Sequence, residues 1–277
     1  MKKLLLSVLL AASVVCAQDW ARQKLDKSSR HGEWVTVKHD GRSVETFVVY
    51  PESKAKTPVV LVIHEIFGMT DWVQDLADQL AEAGYIAVAP DLLSGVGPNG
   101  GGTKSLESRE VGPAIQKLPP DQITADLNAA ADYGLHLPAS NGKLFVAGFC
   151  YGGSQSFRFA TNRPDLKAAF VFYGSAPSSG VQGQFVPDKT ALARIHAPVF
   201  GFFAGNDARI GATIPATEMA MRELHKTYEP VTYEGAGHGF MREGEDPTST
   251  TQMHAANVKG RDEAWTRWKA LLAKYSK

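Results

Sequence analysis

Short apolar runs, almost free of charged residues, recur along the chain. The runs are Val59 to Ile63, Tyr85 to Ala89, Leu144 to Phe149, Ala168 to Tyr173 and Val199 to Ala204. Such runs are typical of parallel strands that are covered on both faces. Stretches of helical character separate them: Asp71 to Ala83, Asp121 to Leu137, Tyr151 to Thr161 and Ile214 to Lys226. The alternation predicts an α/β fold with a mostly parallel, doubly wound sheet and helices on both faces.

Both ends of this core carry additional elements. Two extended segments, Trp34 to Lys38 and Glu45 to Tyr50, flank Asp40-Gly41, a dipeptide that favours a hairpin turn. They predict an antiparallel edge to the sheet. At the other end, apolar residues at mixed helical spacing between Ser249 and Ala273 predict a closing helix that packs on the sheet.

The first residues differ from the rest of the chain. Lys2 and Lys3 precede an apolar run from Leu4 to Val15, and a small residue, Ala17, follows. This pattern predicts a signal peptide over residues 1–17 and an exported, periplasmic or secreted protein. The run is too short for a stable membrane anchor. A lipoprotein acylated on Cys16 is the alternative, although Val15 is bulky where a small residue is expected.

Composition favours one globular domain over residues 18–277. Apolar residues make up 44% of the chain and charged residues 21%, which is enough to build one large core, and no linker separates two cores. Basic and acidic residues number 29 each, so no net charge would attract nucleic acid or an anionic membrane. We therefore expect a monomer whose partner is a small molecule.

A glycine-rich stretch, Ser94 to Thr103, follows the strand that ends near Pro90-Asp91. A phosphate-binding loop is one interpretation, but no helix-opening pattern follows the glycines at the required distance. We expect a flexible loop at the carboxyl edge of the sheet, where open α/β sheets bind ligands. A role as a rim or lid of the site follows from that position.

The strand Leu144 to Phe149 runs directly into Gly148-Phe149-Cys150-Tyr151-Gly152-Gly153, and helical residues follow. This is the pattern of a nucleophile elbow, with cysteine at the nucleophile position. Side chains at Gly148 and Gly152 would collide with neighbouring backbone in such a tight turn. The helix that starts at Tyr151 directs its positive end toward Cys150 and favours a thiolate. A small buried apolar side chain is the alternative for a lone cysteine.

An elbow nucleophile needs an acid and a histidine later in the chain, in that order. Asp207 follows the strand Val199 to Ala204, and His238 follows the strand Val231 to Tyr233. We predict that His238 accepts the thiol proton and later protonates the leaving oxygen, while Asp207 fixes its tautomer. The backbone amides of Tyr151 and Ile66 are the expected oxyanion donors.

Three motifs resemble the dienelactone hydrolase family. They are the cysteine elbow, the segment His64-Glu65-Ile66-Phe67-Gly68 after the third strand, and Ala236-Gly237-His238-Gly239-Phe240. The resemblance extends from about Trp34 to Ala273 and implies the α/β-hydrolase fold. It also implies that a glutamate at the position of Glu65 takes part in forming the thiolate. A structural or capping role is the alternative for this residue.

The resemblance further implies that two arginines bind a substrate carboxylate. Arg242, four residues after His238, matches one of them by motif, and Arg109 has about the right place in the chain for the other. A solvated helix charge is the alternative for Arg109. The serine- and glycine-rich stretch from Ser175 to Gln184 departs from the family pattern, and so does the predicted export. Both departures leave the substrate open.

The motifs together predict a hydrolase of small carboxylic esters or enol lactones that acts through a thioester acyl-enzyme. No metal or organic cofactor is implied, and a zinc site at His64-Glu65 would need a second histidine at helical spacing. A broad small-ester hydrolase without lactone preference is one alternative. A non-catalytic binding protein of the same fold is another.

Overall fold

The computed structural model describes residues 18–180 and 184–277. The predicted signal peptide, with Cys16, lies outside the described residues. Eight strands form one sheet: β1 (Gly32–His39), β2 (Arg42–Val49), β3 (Thr57–Ile63), β4 (Ile86–Pro90), β5 (Ser140–Phe149), β6 (Leu166–Phe172), β7 (Val199–Ala204) and β8 (Tyr228–Tyr233).

The strand order is β1-β2-β4-β3-β5-β6-β7-β8. β2 pairs antiparallel with β1 and β4, whereas the pairs from β4 through β8 are parallel. The mostly parallel sheet with an antiparallel edge is thus confirmed. Asp40 and Gly41 turn the hairpin with φ values of 44° and 75°, as the sequence predicted.

Ten helices surround the sheet in the described residues. They are α1 (Asp19–Leu25), α2 (Asp71–Glu82), α3 (Ser108–Gln116), α4 (Pro120–His136), α5 (Tyr151–Asn162), α6 (Lys189–Leu192), α7 (Ala208–Gly211), α8 (Ile214–Glu223), α9 (Phe240–Glu243) and α10 (His254–Tyr275). Residues of α1, α2 and α10 pack into one apolar cluster, and residues of α3, α4, α5 and α8 pack into another on the opposite face. The sheet is therefore covered on both sides, which explains its uninterrupted apolar strands.

The structure differs from the sequence prediction at several helices, and the short helices α6, α7 and α9 were not predicted. α1 and α3 were not predicted, and the closing helix α10 begins at His254 rather than Ser249. Two short 3-10 turns, Pro98–Gly100 and Thr103–Ser105, lie in the glycine-rich stretch. Within the described residues, no helix is both long enough and apolar enough to cross a membrane.

Candidate active site

Cys150 lies in the sharp turn between β5 and α5. Its φ of 56° and ψ of −113° are unusual for a residue with a side chain. A Cβ atom at Gly148 would lie 1.9 Å from the carbonyl oxygen of Gly152. A Cβ atom at Gly152 would lie 2.2 Å from the carbonyl oxygen of Ile63. Glycine at both positions lets α5 approach the sheet closely and leaves the cysteine sulfur at the sheet's carboxyl edge.

Asp207, His238 and Cys150 form a continuous chain of close contacts. Nδ1 of His238 lies 2.5 Å from Oδ2 of Asp207, and Nε2 of His238 lies 3.1 Å from Sγ of Cys150. Since Asp207 can only accept a hydrogen bond when ionised, Nδ1 of His238 carries a proton. The other ring nitrogen thus faces the sulfur at a distance that allows proton transfer.

The loops that carry Asp207 and His238 are fixed to each other and to α10. The side-chain amide of Asn206 donates to the carbonyl of Gly235 at 2.9 Å. The backbone amide of Gly237 donates to Oδ1 of Asn257, a buried residue of α10, at 2.8 Å. These bonds hold the histidine loop against the aspartate loop, so the imidazole is preorganised rather than free to swing.

The electrostatics favour a charged imidazole at His238. Burial alone would lower the pKa of His238, but its hydrogen bonds to Cys150 and Asp207 outweigh burial, and the pKa is raised. An imidazolium beside the sulfur stabilises a thiolate by opposite charge. The arrangement can therefore supply a nucleophile and a proton donor in one contact.

The two predicted oxyanion donors have free amides beside the cysteine. Tyr151 is the first residue of α5, and Ile66 lies in the turn after β3. Among the described residues, no hydrogen-bond acceptor takes either amide proton. Free backbone N–H groups at a helix start and in a loop can stabilise the negative oxygen of a tetrahedral intermediate.

Glu65 is paired with Arg242. Nε of Arg242 donates to Oε2 of Glu65 at 2.8 Å, and Nη1 of Arg242 donates to Glu243 at 2.6 Å. Burial raises the pKa of Glu65, and the attraction of Arg242 opposes this shift without cancelling it. In this structure the carboxylate of Glu65 thus binds the guanidinium, while the sulfur of Cys150 contacts His238.

Comparisons with known proteins show the family of the chain. A model of the dienelactone hydrolase family matches residues 44–276. The chain belongs to the dienelactone hydrolase family. A Yersinia pestis protein named "Putative carboxymethylenebutenolidase" is 32% identical over 209 residues, which cover 74% of this chain and 77% of that protein. A Salmonella typhi protein of the same name is 29% identical over 243 residues, or 87% and 86% of the two chains.

A solved structure extends the family likeness to the fold. The Klebsiella pneumoniae structure described as "Putative Dienelactone Hydrolase" superposes with a TM-score of 0.74 at 26% identity, over 90% of this chain and 100% of that chain. The α/β-hydrolase fold implied by the sequence motifs is therefore confirmed. As a member of the dienelactone hydrolase family, the chain is a carboxylic-ester hydrolase.

In this dienelactone hydrolase family member, Arg109 does not lie beside Arg242 at the candidate active site. Arg109 lies on the exposed face of α3 and lines a cavity with Glu110 and Lys117. Arg242 lines a different cavity, beside Phe67. Chain position alone indicated Arg109, and the rotation of α3 turns its side chain away. Lys104 is the cation that lines the same cavity as Arg242.

Sequence reasoning missed the side chains that hold the oxyanion loop. Nδ1 of the buried His64 donates to the carbonyl of Glu65 at 2.8 Å, and its Nε2 accepts from the amide of Leu92 at 3.3 Å. Burial lowers the pKa of His64, which keeps the ring neutral, so that one ring nitrogen can donate a hydrogen bond while the other accepts one. In the sequence, the position of His64 directly after a buried strand was the one feature that could have indicated this supporting role.

Thr103 is a second support that the sequence did not reveal. Its amide and hydroxyl donate to the carboxylate of the buried Asp91, each at 2.7 Å. Its hydroxyl oxygen accepts from the amide of Met69 at 3.1 Å. A Cβ atom at Gly68 would lie 2.4 Å from that oxygen. The glycine-rich stretch is thus attached to the oxyanion loop at Thr103, at the edge where a rim was expected.

Proposed function

We propose that this hydrolase cleaves small carboxylic esters or enol lactones through a thioester on Cys150. The observation that carries the proposal is the chain of contacts from Asp207 through His238 to Sγ of Cys150, at 2.5 and 3.1 Å. The raised pKa of His238, to which its contacts with Cys150 and Asp207 contribute, supports a thiolate and imidazolium pair.

In the proposed first step the thiolate of Cys150 attacks the carbonyl carbon. The carbonyl oxygen becomes an oxyanion that accepts hydrogen bonds from the amides of Tyr151 and Ile66. When the intermediate collapses, the bond to the alcohol oxygen breaks, and His238 gives its Nε2 proton to that oxygen. An enol lactone opens in the same way, with the enolate oxygen as leaving group.

In the second step water attacks the thioester. The neutral His238 accepts a proton from the water, the new oxyanion forms at the same two amides, and the thiolate leaves. Asp207 accepts the hydrogen bond from Nδ1 of His238 and stabilises the imidazolium. The products are a carboxylic acid and an alcohol or enol, and the enzyme returns to its starting state.

Glu65 and Arg242 are assigned to substrate-linked activation. The guanidinium of Arg242 is planar and suits a carboxylate, and it already binds one in Glu65. A substrate carboxylate that competes for Arg242 would release Glu65, whose raised pKa lets it take the thiol proton and pass it to Nε2 of His238, which later gives that proton to the leaving oxygen. A broad small-ester hydrolase would instead turn over neutral esters without this step.

The experiment is a turnover panel of a carboxylated dienelactone and neutral phenyl esters. We expect Cys150→Ala to lower kcat/KM for every substrate by about 10⁴-fold or more. We expect Arg242→Ala to lower it for the carboxylated lactone alone by about tenfold to a hundredfold. Arg222→Ala, which changes an exposed arginine of α8, is the control. Turnover that survives in Cys150→Ala would refute the thioester mechanism.

We also propose that the protein is exported after cleavage behind Ala17. Gln18, the first residue after the proposed cleavage site, has a side-chain oxygen that accepts a hydrogen bond from the amide of Trp72 at 2.8 Å. Removal of residues 1–17 would leave that contact in place. N-terminal sequencing of protein recovered outside the cytoplasm tests this, and a start at residue 18 is expected. An acylated Cys16 at the start would favour the lipoprotein instead.

A further inference from the structure

A cavity of about 550 Å³ lies next to the candidate active site. The residues that line it include Phe67, Met69, Leu106, Val111 and Arg242. Phe67 directly follows Ile66, the proposed oxyanion donor, and Arg242 contacts Glu65, so the cavity borders the loop that carries that donor. Its volume falls within the ~300–1,000 Å³ of pockets that bind drug-sized ligands. A bare lactone ring would leave much of it empty.

Several of the residues that line the cavity are apolar, among them Phe67 in the loop after β3. Phe67 is 51% exposed, and the guanidinium of Arg242 lies 5.2 Å from the centre of its ring. A second cavity of about 280 Å³ shares Met69 and Lys104 with the first and adds Trp34, which is 38% exposed. Exposed aromatic side chains along a cleft gain free energy when an apolar ligand covers them. The cleft therefore suits a substrate with an extended apolar arm.

Lys104 supplies a positive charge where the two cavities meet. The lysines that pair with a carboxylate in residues 18–180 and 184–277 are Lys24, Lys189 and Lys259. The ammonium of Lys104 instead lies 5.3 Å from the centre of the Trp34 ring. It is thus free to bind an anion, and its flexible stem can follow a ligand along the cleft.

The other charged side chains that line the two cavities are Arg242, Asp71, Glu45 and Asp91, and each has a hydrogen-bond partner in the structure. Arg242 is paired with Glu65 and Glu243, and the proposed activation step assigns it to a carboxylate close to the ester bond rather than to one at the far end of an arm. The carboxylate of Asp71, in the first turn of α2, accepts a hydrogen bond from the side-chain amide of Gln74 at 3.2 Å. Lys104 is therefore the cation of this wall that has no carboxylate partner among the described residues.

We propose that the cavity binds an apolar arm of the ester substrate that ends in a carboxylate, and that Lys104 pairs with that carboxylate. This inference rests on the proposed function and names its substrate class: esters of several carbon atoms with an anionic far end. Phe67 contacts the arm, and Lys104 determines the preference for the charged end.

The test compares two esters of matched length, p-nitrophenyl hexanoate and mono-p-nitrophenyl adipate, which differ in the methyl or carboxylate at the far end. We expect Lys104→Met to lower kcat/KM for the adipate ester about tenfold, mainly through KM, and to leave the hexanoate ester unchanged within about twofold. Lys104→Arg should restore most of the loss. Lys117→Met, which removes an exposed lysine of a separate cavity, is the matched control.

Equal losses for both esters in Lys104→Met, or no loss for either, would overturn the proposal. A selective loss of the adipate ester in Arg109→Met but not in Lys104→Met would also overturn it. We expect Phe67→Ala to lower the ratio of kcat/KM for each six-carbon ester to kcat/KM for p-nitrophenyl acetate severalfold. No change in that ratio would show that the arm lies elsewhere.

A binding measurement separates this inference from the catalytic mechanism. Calorimetry of 4-phenylbutyrate with the Cys150→Ala protein requires no turnover. We expect binding that weakens about tenfold when Lys104→Met is added and that is unaffected by added Lys117→Met. If the native protein turned over none of the esters while this binding was present, the result would count against the proposed function alone. Absence of the binding would count against the cavity assignment.

Discussion

At the residue scale, Cys150 has a backbone conformation that side-chain-bearing residues rarely adopt. Its positive φ of 56° is imposed by the strand before it and the helix after it, and the close approach of Gly148 to Gly152 makes the turn possible. The spacing of glycines around the cysteine is thus a consequence of geometry. For that reason the sequence alone could predict the elbow.

Gly148→Ala tests this geometry. The added methyl group would overlap the carbonyl oxygen of Gly152 at 1.9 Å, and neither backbone can move without displacing β5 or α5. We expect a loss of about 3 kcal/mol or more in the free energy of unfolding. Urea denaturation measures it.

Gly211→Ala is the control for the glycine substitution. A Cβ atom there meets nothing within 4 Å, and the residue is helical. We expect this variant to be as stable as the native protein or slightly more stable. Equal stability of the Gly148 and Gly211 variants would contradict the steric account of the elbow.

The site residues differ in how far the sequence could predict them. Cys150, Asp207 and His238 follow strand ends, and parallel strands bring their carboxyl ends to one edge, so their meeting was predictable. The position of the Arg109 side chain was not predictable, because it depends on the rotation of α3 about its axis, and packing determines that rotation. The Glu65 contact with Arg242 likewise depends on side-chain packing that no motif encodes.

At the element scale, the oxyanion loop after β3 depends on the segment after β4. Asp91 at the end of β4 binds Thr103, and Thr103 binds the amide of Met69 in the oxyanion loop. The glycine-rich stretch was expected to be a flexible loop. Two 3-10 turns and this buried attachment give one end of it a defined position beside the cavity.

Thr103→Val tests the attachment. Valine has nearly the same shape but lacks the hydroxyl, so Asp91 loses one donor and the Met69 amide loses its acceptor. We expect about 1–3 kcal/mol less stability and a severalfold lower kcat, since the oxyanion loop loses its support. Urea denaturation and ester turnover measure the two effects.

Thr266→Val is the matched control, because the hydroxyl of this exposed α10 residue donates only to a carbonyl of its own helix. We expect it to change neither stability nor kcat appreciably. If Thr103→Val behaves like Thr266→Val, the glycine-rich stretch does not position the oxyanion loop.

The elements themselves were predictable to different degrees. The central strands appear as apolar runs because both faces of the sheet are covered, and all of them are present. α3 was missed because Gly112 and Pro113 lie inside it and break the usual helical pattern. Its N-terminus is instead stabilised by a capping box between Glu107 and Glu110.

At the scale of the whole molecule, a polar network joins α2 to α10. Glu245 accepts hydrogen bonds from the indole of Trp72, the amide of Gln79 and the guanidinium of Arg261. Asp75, also on α2, is buried nearby. Burial, together with the charge of Glu245, raises the pKa of Asp75 to about 6.

This shift predicts a pH dependence of stability. Because the pKa of Asp75 is higher in the folded protein than its ordinary value of 3.8, the folded state binds the proton more tightly. Stability therefore falls as pH rises from about 4 to about 6, by roughly 1–3 kcal/mol. Asp75→Asn should remove this decrease and leave the protein more stable than the native form at pH 7.

Urea midpoints at pH 4, 5, 6 and 7 check the prediction for Asp75. Asp121→Asn, at a fully exposed position, is the control and should leave the pH profile unchanged. The prediction would be contradicted if the stability of Asp75→Asn fell with pH as it does in the native protein, or if the variant were less stable than the native protein at pH 7. Either result would show that burial does not destabilise the Asp75 carboxylate.

The central claim is that the sulfur of Cys150 carries the acyl group during turnover. Intact-mass analysis of the protein quenched in acid during hydrolysis of a slowly deacylating ester tests it most directly. We predict a mass increase equal to the acyl group, located on the peptide with Cys150, removed by neutral hydroxylamine and absent in Cys150→Ala. Full turnover without that adduct, and undiminished in Cys150→Ala, would contradict the account.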